Sequence, residues 1–203
     1  MTENDQAIDE FWRWFQEHRP DFDKLTDTAD PFWDIAVGEL KRLNEHLWFE
    51  LSKPDGEARE FIITAEGHEG AFPIVDKIVA RTPNVLGWQF IALKLPMGFD
   101  FKTNYEGISF DPRSMWFLPL TNASHPRDFG LRVGVPNFTP RIKRQSESAI
   151  LVILDTALGE RVAAQEIGFV ELCALPDRPA TAGYIQLREL PKYIEWRKRN
   201  LSK

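Results

Sequence analysis

The run from Leu47 to Leu95, LWFELSKPDGEAREFIITAEGHEGAFPIVDKIVARTPNVLGWQFIALKL, limits what the chain can fold into more than any other stretch. Its apolar period changes from two to 3.6 and back, which predicts strand, turn, strand, helix and strand. Leu47, Phe49 and Leu51 alternate with Trp48, Glu50 and Ser52, as in a strand whose side chains point to opposite faces. Pro54 and Gly56 supply a turn. Phe61, Ile62, Ile63 and Thr64 are apolar or β-branched without a break, the pattern of an interior strand covered on both faces. Phe72, Val75, Ile78 and Val79 then share one helical stripe, with Pro73 in the first turn where it is tolerated. Pro83 to Gly87 stops that helix, and Trp88 to Leu95 resumes as a strand. A strand, helix and strand of this length should leave the two strands parallel.

The flanking segments read as cover for this layer. Ile8, Phe11, Trp12 and Phe15 form one face of a first helix that Pro20 ends, and its aromatic bulk can dock on the sheet or on a partner. A second helix opens at Asp30 and Pro31, a capping residue followed by the residue suited to the first helical position. Together they make a two-helix preface over residues 1–45. Ile108 to Phe110 and Met115 to Leu120 suggest another hairpin, Thr121 to Gly130 a surface loop by composition, and Leu131 to Val135 a short strand. The basic connection with Arg141, Lys143 and Arg144 reads as a solvated loop able to receive an anion. Ser146 to Leu158 is nearly apolar all round and ends at Gly159, which predicts a buried helix with a glycine cap. Ile167 to Leu172 is a strand, Tyr184 to Leu187 an edge strand, and Leu190 to Arg199 a last helix.

The expected fold is therefore α+β: a single domain over 1–203, with a mixed sheet and two main helices over 46–175, helices mainly on one face, and an edge strand and helix over 176–203. Both halves run through hairpin, helix and strand, which suggests a degenerate repeat. Cys173 is the only cysteine, so no intrachain disulfide exists, and it is expected to be buried and inert. An acidic N-terminus without an apolar core argues against a secretory signal, and no apolar run is long enough to cross a bilayer, so a cytoplasmic location is the default. Through Glu60 sixteen acids stand against seven bases, a net −9 of the formal −6 overall. That balance argues against nucleic-acid binding.

Counting outward from the Pro54 turn places His46 opposite Ala65 and Glu66, so His46, Glu66, His68 and Glu69 should gather at the open end of the hairpin. Two imidazoles and two carboxylates can work as acid and base, or His46 and His68 can hold a divalent metal, although the spacing matches no named motif. No cofactor is otherwise implied. Ser124, His125 and Asp128 are close in sequence without forming a recognisable triad. Trp14 and Trp48 fall on faces that the patterning turns away from the core and are candidate anchors for a protein partner or for self-association. A non-enzymatic binding or regulatory module is thus the first reading, and a small metal-assisted or acid–base enzyme the second.

FWRWF near the start, EFIITAEGHEGAFPIVDKIV, TPNVLGWQFIALKLP, ILDTALGE and ELPKYIEW together resemble a set of uncharacterised bacterial proteins classified as a domain of unknown function. The resemblance spans most of the chain. It implies a soluble bacterial α+β domain and brings no catalytic residue with it.

Overall fold

A computed structural model of the protein describes residues 3–54, 58–122 and 125–201. The fold is α+β, and its backbone contacts group it into two compact units, Met1–Lys94 and Leu95–Lys203.

The first unit holds three helices, α1 (Glu3–Glu17), α2 (Arg19–Lys24) and α3 (Pro31–Lys41), then strands β1 (Trp48–Leu51) and β2 (Arg59–Thr64), helix α4 (Phe72–Ala80) and strand β3 (Trp88–Ala92). The sheet runs β1-β2-β3, with β1 antiparallel and β3 parallel to β2, so the predicted hairpin, crossover helix and parallel return are all present. Phe61 and Ile63 are fully buried in the central strand, whereas Ile62 on the opposite face is half-buried, so one face is sealed and the other only partly. Phe15 meets Phe61, Trp88 and Phe90 edge-on, and Phe49 stacks on Phe61, so aromatic rings from α1 and all three strands make one core.

The N-terminal helices differ from expectation at one point. Pro20 does not close a helix; α1 already ends at Glu17, and Pro20 sits in the first turn of the short α2. A proline lacks the N–H that the first turn leaves unbonded anyway, so it starts a helix as readily as it stops one. Asp30 caps α3 as predicted, accepting from the Phe32 N–H at 2.9 Å. Helix α1 is tied to α4 by Trp12 Nε1, which donates to the Ile78 carbonyl at 2.9 Å, by Lys77 to Asp5 at 2.9 Å, and by Arg81, which reaches both oxygens of Asp9.

The second unit opens with a two-stranded ribbon, β4 (Thr103–Tyr105) against β5 (Ile108–Phe110). It continues with β6 (Trp116–Asn122), β7 (His125–Val135), α5 (Lys143–Leu158), α6 (Glu160–Glu166), β8 (Phe169–Ala174), β9 (Ile185–Gln186) and α7 (Leu190–Leu201). Ile108–Phe110 therefore pairs backwards with β4, and the hairpin partner of β6 is β7. Of the loop expected over 121–130, the described residues are strand: β6 runs to Asn122 and β7 starts at His125, with pairing across Thr121↔Phe129. Polar and proline content suggested a loop there, but antiparallel pairing to a neighbour overrides local propensity.

The larger sheet of this unit runs β8-β7-β6-β9, antiparallel except for the parallel pair β7–β8. Hairpin, helix and parallel strand thus follow one another in β1-β2-α4-β3 and again in β6-β7-α5-β8. Phe117, Phe129, Leu131, Val133 and Val135 on one sheet face pack with Ala149, Ile150, Ile153 and Leu154 of α5 and Ile194 of α7. Helix α5 starts within the basic stretch expected as loop, at Lys143, and ends at Gly159 with φ 78°. It is not buried all round, since Leu151 and Val152 face outward. Among the described residues no helix is long and apolar enough to cross a membrane.

Candidate functional site

The hairpin register Trp48↔Thr64 to Leu51↔Phe61, continued outward, sets His46 opposite Glu66. Glu66 and Gly67 both have positive φ, 48° and 82°, which turns the chain sharply after β2 and carries His68 back over the end of β1. His46 and His68 consequently stack, with ring centroids 4.0 Å apart and planes 18° from parallel. The backbone below them is fixed: the His46 N–H donates to Asn44 Oδ1 at 3.0 Å, the Glu66 N–H to Thr64 Oγ1 at 3.0 Å and the His68 N–H to the Ala65 carbonyl at 2.9 Å. Glu66, His68 and Glu69 are exposed. The carboxylate near His46 is that of Glu45, at 3.9 Å.

So the two histidines meet where the hairpin count places them, but face to face. An imidazole nitrogen binds a metal through a lone pair in the ring plane, at about 2.0–2.1 Å for zinc. Two planes so close to parallel at this spacing do not converge on one ion. Among the described residues no three of His, Cys, Asp and Glu stand close enough together to hold a metal. The stack is a contact holding the end of the hairpin together, and its outer edges face solvent.

Trp14 is half-buried inside an aromatic cluster. It lies 4.7 Å from the His18 ring, stacks on Phe32 at 5.9 Å and meets Phe22 edge-on at 5.7 Å. The face read as turned outward is thus largely covered by α2 and α3. Its free edge lines a cleft of about 230 Å³ with Phe11, Glu39 and Arg42, where Arg42 is held by Glu39 at 2.9 Å. Trp48 is half-buried too, with the Lys41 ammonium 3.7 Å from its ring centroid. The two tryptophans share no cluster: one belongs to the helices, the other to the first strand. Ser124 lies outside the described residues.

Two features had no functional forecast from the sequence. The first is the outer part of the larger sheet. Strand β8 is its edge, and none of its residues is buried. Arg132 of β7 holds Glu171 of β8 through Nε at 3.0 Å and Nη2 at 2.9 Å. Cys173, expected to be buried, is half-exposed with Sγ 3.2 Å from the Tyr184 hydroxyl, and burial followed by this contact pushes the phenol up to about 12. Phe169, 47 % exposed, lies over Gly130, which has no side chain to displace it. The signal for this edge was available in FVELCA, a run with a single charge.

The second is a cavity of about 640 Å³ between the α2–α3 connection and the end of β1, lined by Leu25, Thr26, Thr28, Trp33, Lys53 and Arg59 among others. Arg59 is only 5 % exposed. Its guanidinium donates to the carbonyls of Phe22 and Leu25 at the C-terminal end of α2, and its Nε to the Ser52 carbonyl at 3.1 Å. Burial lowers its pKa, with Asp23 acting the other way.

Comparisons with protein-family models, with curated proteins and with solved structures find no match for this chain.

Proposed function

We propose that the protein is a protein-binding module that receives an extended segment of a partner along the free edge of β8. The observation that carries this reading is that β8 has β7 on one side, no strand on the other among the described residues, and no buried residue. Leu175 donates to the Val135 carbonyl, so in the alternation of a strand Val170, Leu172 and Ala174 turn their N–H and C=O groups away from β7. An unpaired row of this kind is a template for another strand.

The side chains specify the partner further. Val170 and Leu172 pack at the margin of the hydrophobic core, so an added strand with apolar side chains at alternate positions extends that core. On the other face Arg132 and Glu171 neutralise one another, and Phe169 offers an aromatic surface. The partner segment is therefore extended, apolar at every second position, and uncharged opposite Arg132 and Glu171.

Selection of random ten-residue peptides on the folded protein, followed by amide exchange on the complex, tests this. The expected peptides alternate apolar and polar residues, protect the Val170, Leu172 and Ala174 amides, and lose binding to Leu172→Pro, which removes an outward donor from an edge where proline is tolerated. Peptides that bind Leu172→Pro as well as wild type, or protection confined to other strands, would overturn it. Concentration-dependent protection without peptide would mean that the edge pairs with a second copy instead.

A further inference from the structure

The cavity beside Arg59 belongs to the first unit and is independent of the β8 edge. We infer that it is a binding site for a small organic acid, with the carboxylate held between Arg59 and Lys53 and a flat apolar ring laid against Trp33. Its size is that of a ligand pocket, since such sites run about 300–1,000 Å³.

Charge complementarity points to the ligand class. Among the described residues the cavity lining holds two cationic side chains, Lys53 and Arg59, and no acidic one. Arg59 has no ion-pair partner among the described residues; its three hydrogen bonds all go to backbone carbonyls. A guanidinium has five N–H donors, so two remain beyond those bonds. Asp23 acts on this buried cation only at longer range than an ion pair, and burial still lowers its pKa, so a carboxylate at hydrogen-bond distance would stabilise its charged form.

The rest of the lining sets the shape of the ligand. Trp33 is held by a tilted ring contact with Phe49, with centroids 4.4 Å apart, and gives a platform. Leu25, Leu51 and Pro54 add apolar wall, and Thr26 and Thr28 place two hydroxyls at the rim. A ring with a carboxylate on a short arm uses all three parts. A phosphate alone would leave the apolar wall uncovered.

The test uses the intact protein, with indole-3-acetate as probe and indole-3-acetamide as its neutral counterpart, followed by calorimetry and by the Trp33 and Arg59 side-chain N–H resonances. The acid is expected to bind saturably, to move both resonances, and to bind at least about tenfold more tightly than the amide, as loss of one charge-assisted contact implies. Lys53→Glu, an exposed substitution that leaves the fold intact, should weaken the acid by at least the same factor and leave the amide unchanged. Equal binding of acid and amide would overturn the proposal. So would saturable binding that moves neither resonance, or no binding of the acid at about 10 mM, beyond which a charge-paired fragment is not specifically held.

Discussion

His46 and His68, twenty-two positions apart in sequence, lie ring on ring with centroids 4.0 Å apart at the open end of the first hairpin. The stack joins the residue that leads into β1 to the turn that leaves β2, so it closes the hairpin opposite its loop. In a double-mutant cycle with His46→Ala and His68→Ala at pH 8, where ordinary imidazoles are neutral, the pair should show a coupling of about 0.5–1 kcal/mol in urea unfolding. Titrated zinc should raise the melting temperature of wild type no more than that of either single variant. A wild-type-specific rise would show that the rings turn to share an ion.

Phe169 depends on Gly130 in a similar way. A methyl group added at Gly130 would stand 2.2 Å from the tip of the Phe169 ring. The ring is at an edge and can swing out, so Gly130→Ala should cost about 1 kcal/mol, the low end of overpacking. Combining it with Phe169→Ala should remove most of that cost. Additive losses in urea unfolding would mean that the glycine serves the backbone and not the ring.

Arg59 is where the core of the first unit relies on charge. Replacing it with Met takes the donors from the Phe22, Leu25 and Ser52 carbonyls. The expected loss is about 2–4 kcal/mol, with Arg59→Lys intermediate because one ammonium cannot span all three acceptors. Guanidinium-chloride melts of the two variants check the order.

Asp111 gives the acid response. Its carboxylate accepts from Arg113 Nε and Nη2, at 2.8 and 2.7 Å, and that hydrogen bonding lowers its pKa from 3.8 to about 2. A carboxyl group depressed by folding stabilises the native state above its unfolded pKa and loses that contribution as pH falls through the folded value. The melting temperature should therefore drop between about pH 4 and pH 2, and in Asp111→Asn the slope in that window should be shallower. Equal slopes would remove Asp111 from the account.

Amide exchange separates the rim of the larger sheet from its interior in the free protein. Val170, Leu172 and Ala174 should exchange on the timescale of exposed amides, while Leu131 and Val133, buried in the central strand, should persist to near-global unfolding. Slow exchange at all three β8 positions would mean that the edge is already covered in solution.

The parts legible in the sequence were those where local chemistry and periodicity agree. Asp30–Pro31 announces a capped helix, and Phe61 to Trp88 announces strand, helix and strand, because each signal lies within a few residues of its effect. The meeting of His46 and His68 was legible as well, since antiparallel pairing is arithmetic once a turn is placed. How the rings face one another was not, because it follows from the positive φ of Glu66 and Gly67. Residues 121–122 and 125–130 misled because pairing between β6 and β7 outweighs their polar and proline content. Trp14 misled because its cover comes from Phe22 on a helix that Pro20 begins, where the same proline also reads as a stop. The cavity beside Arg59 was out of reach, for it draws on positions 25 to 59 that only the fold assembles.

Each compact unit is an unbroken stretch of chain, with the boundary after Lys94. On a translating ribosome the last strand of the first unit, ending at Ala92, is therefore synthesised before any of the second. The aromatic core of Phe15, Phe61 and Phe90 has all its members in hand by then and can close while synthesis continues. The most ring-rich part of the molecule thus has no need to wait, sticky and exposed, for its C-terminal half.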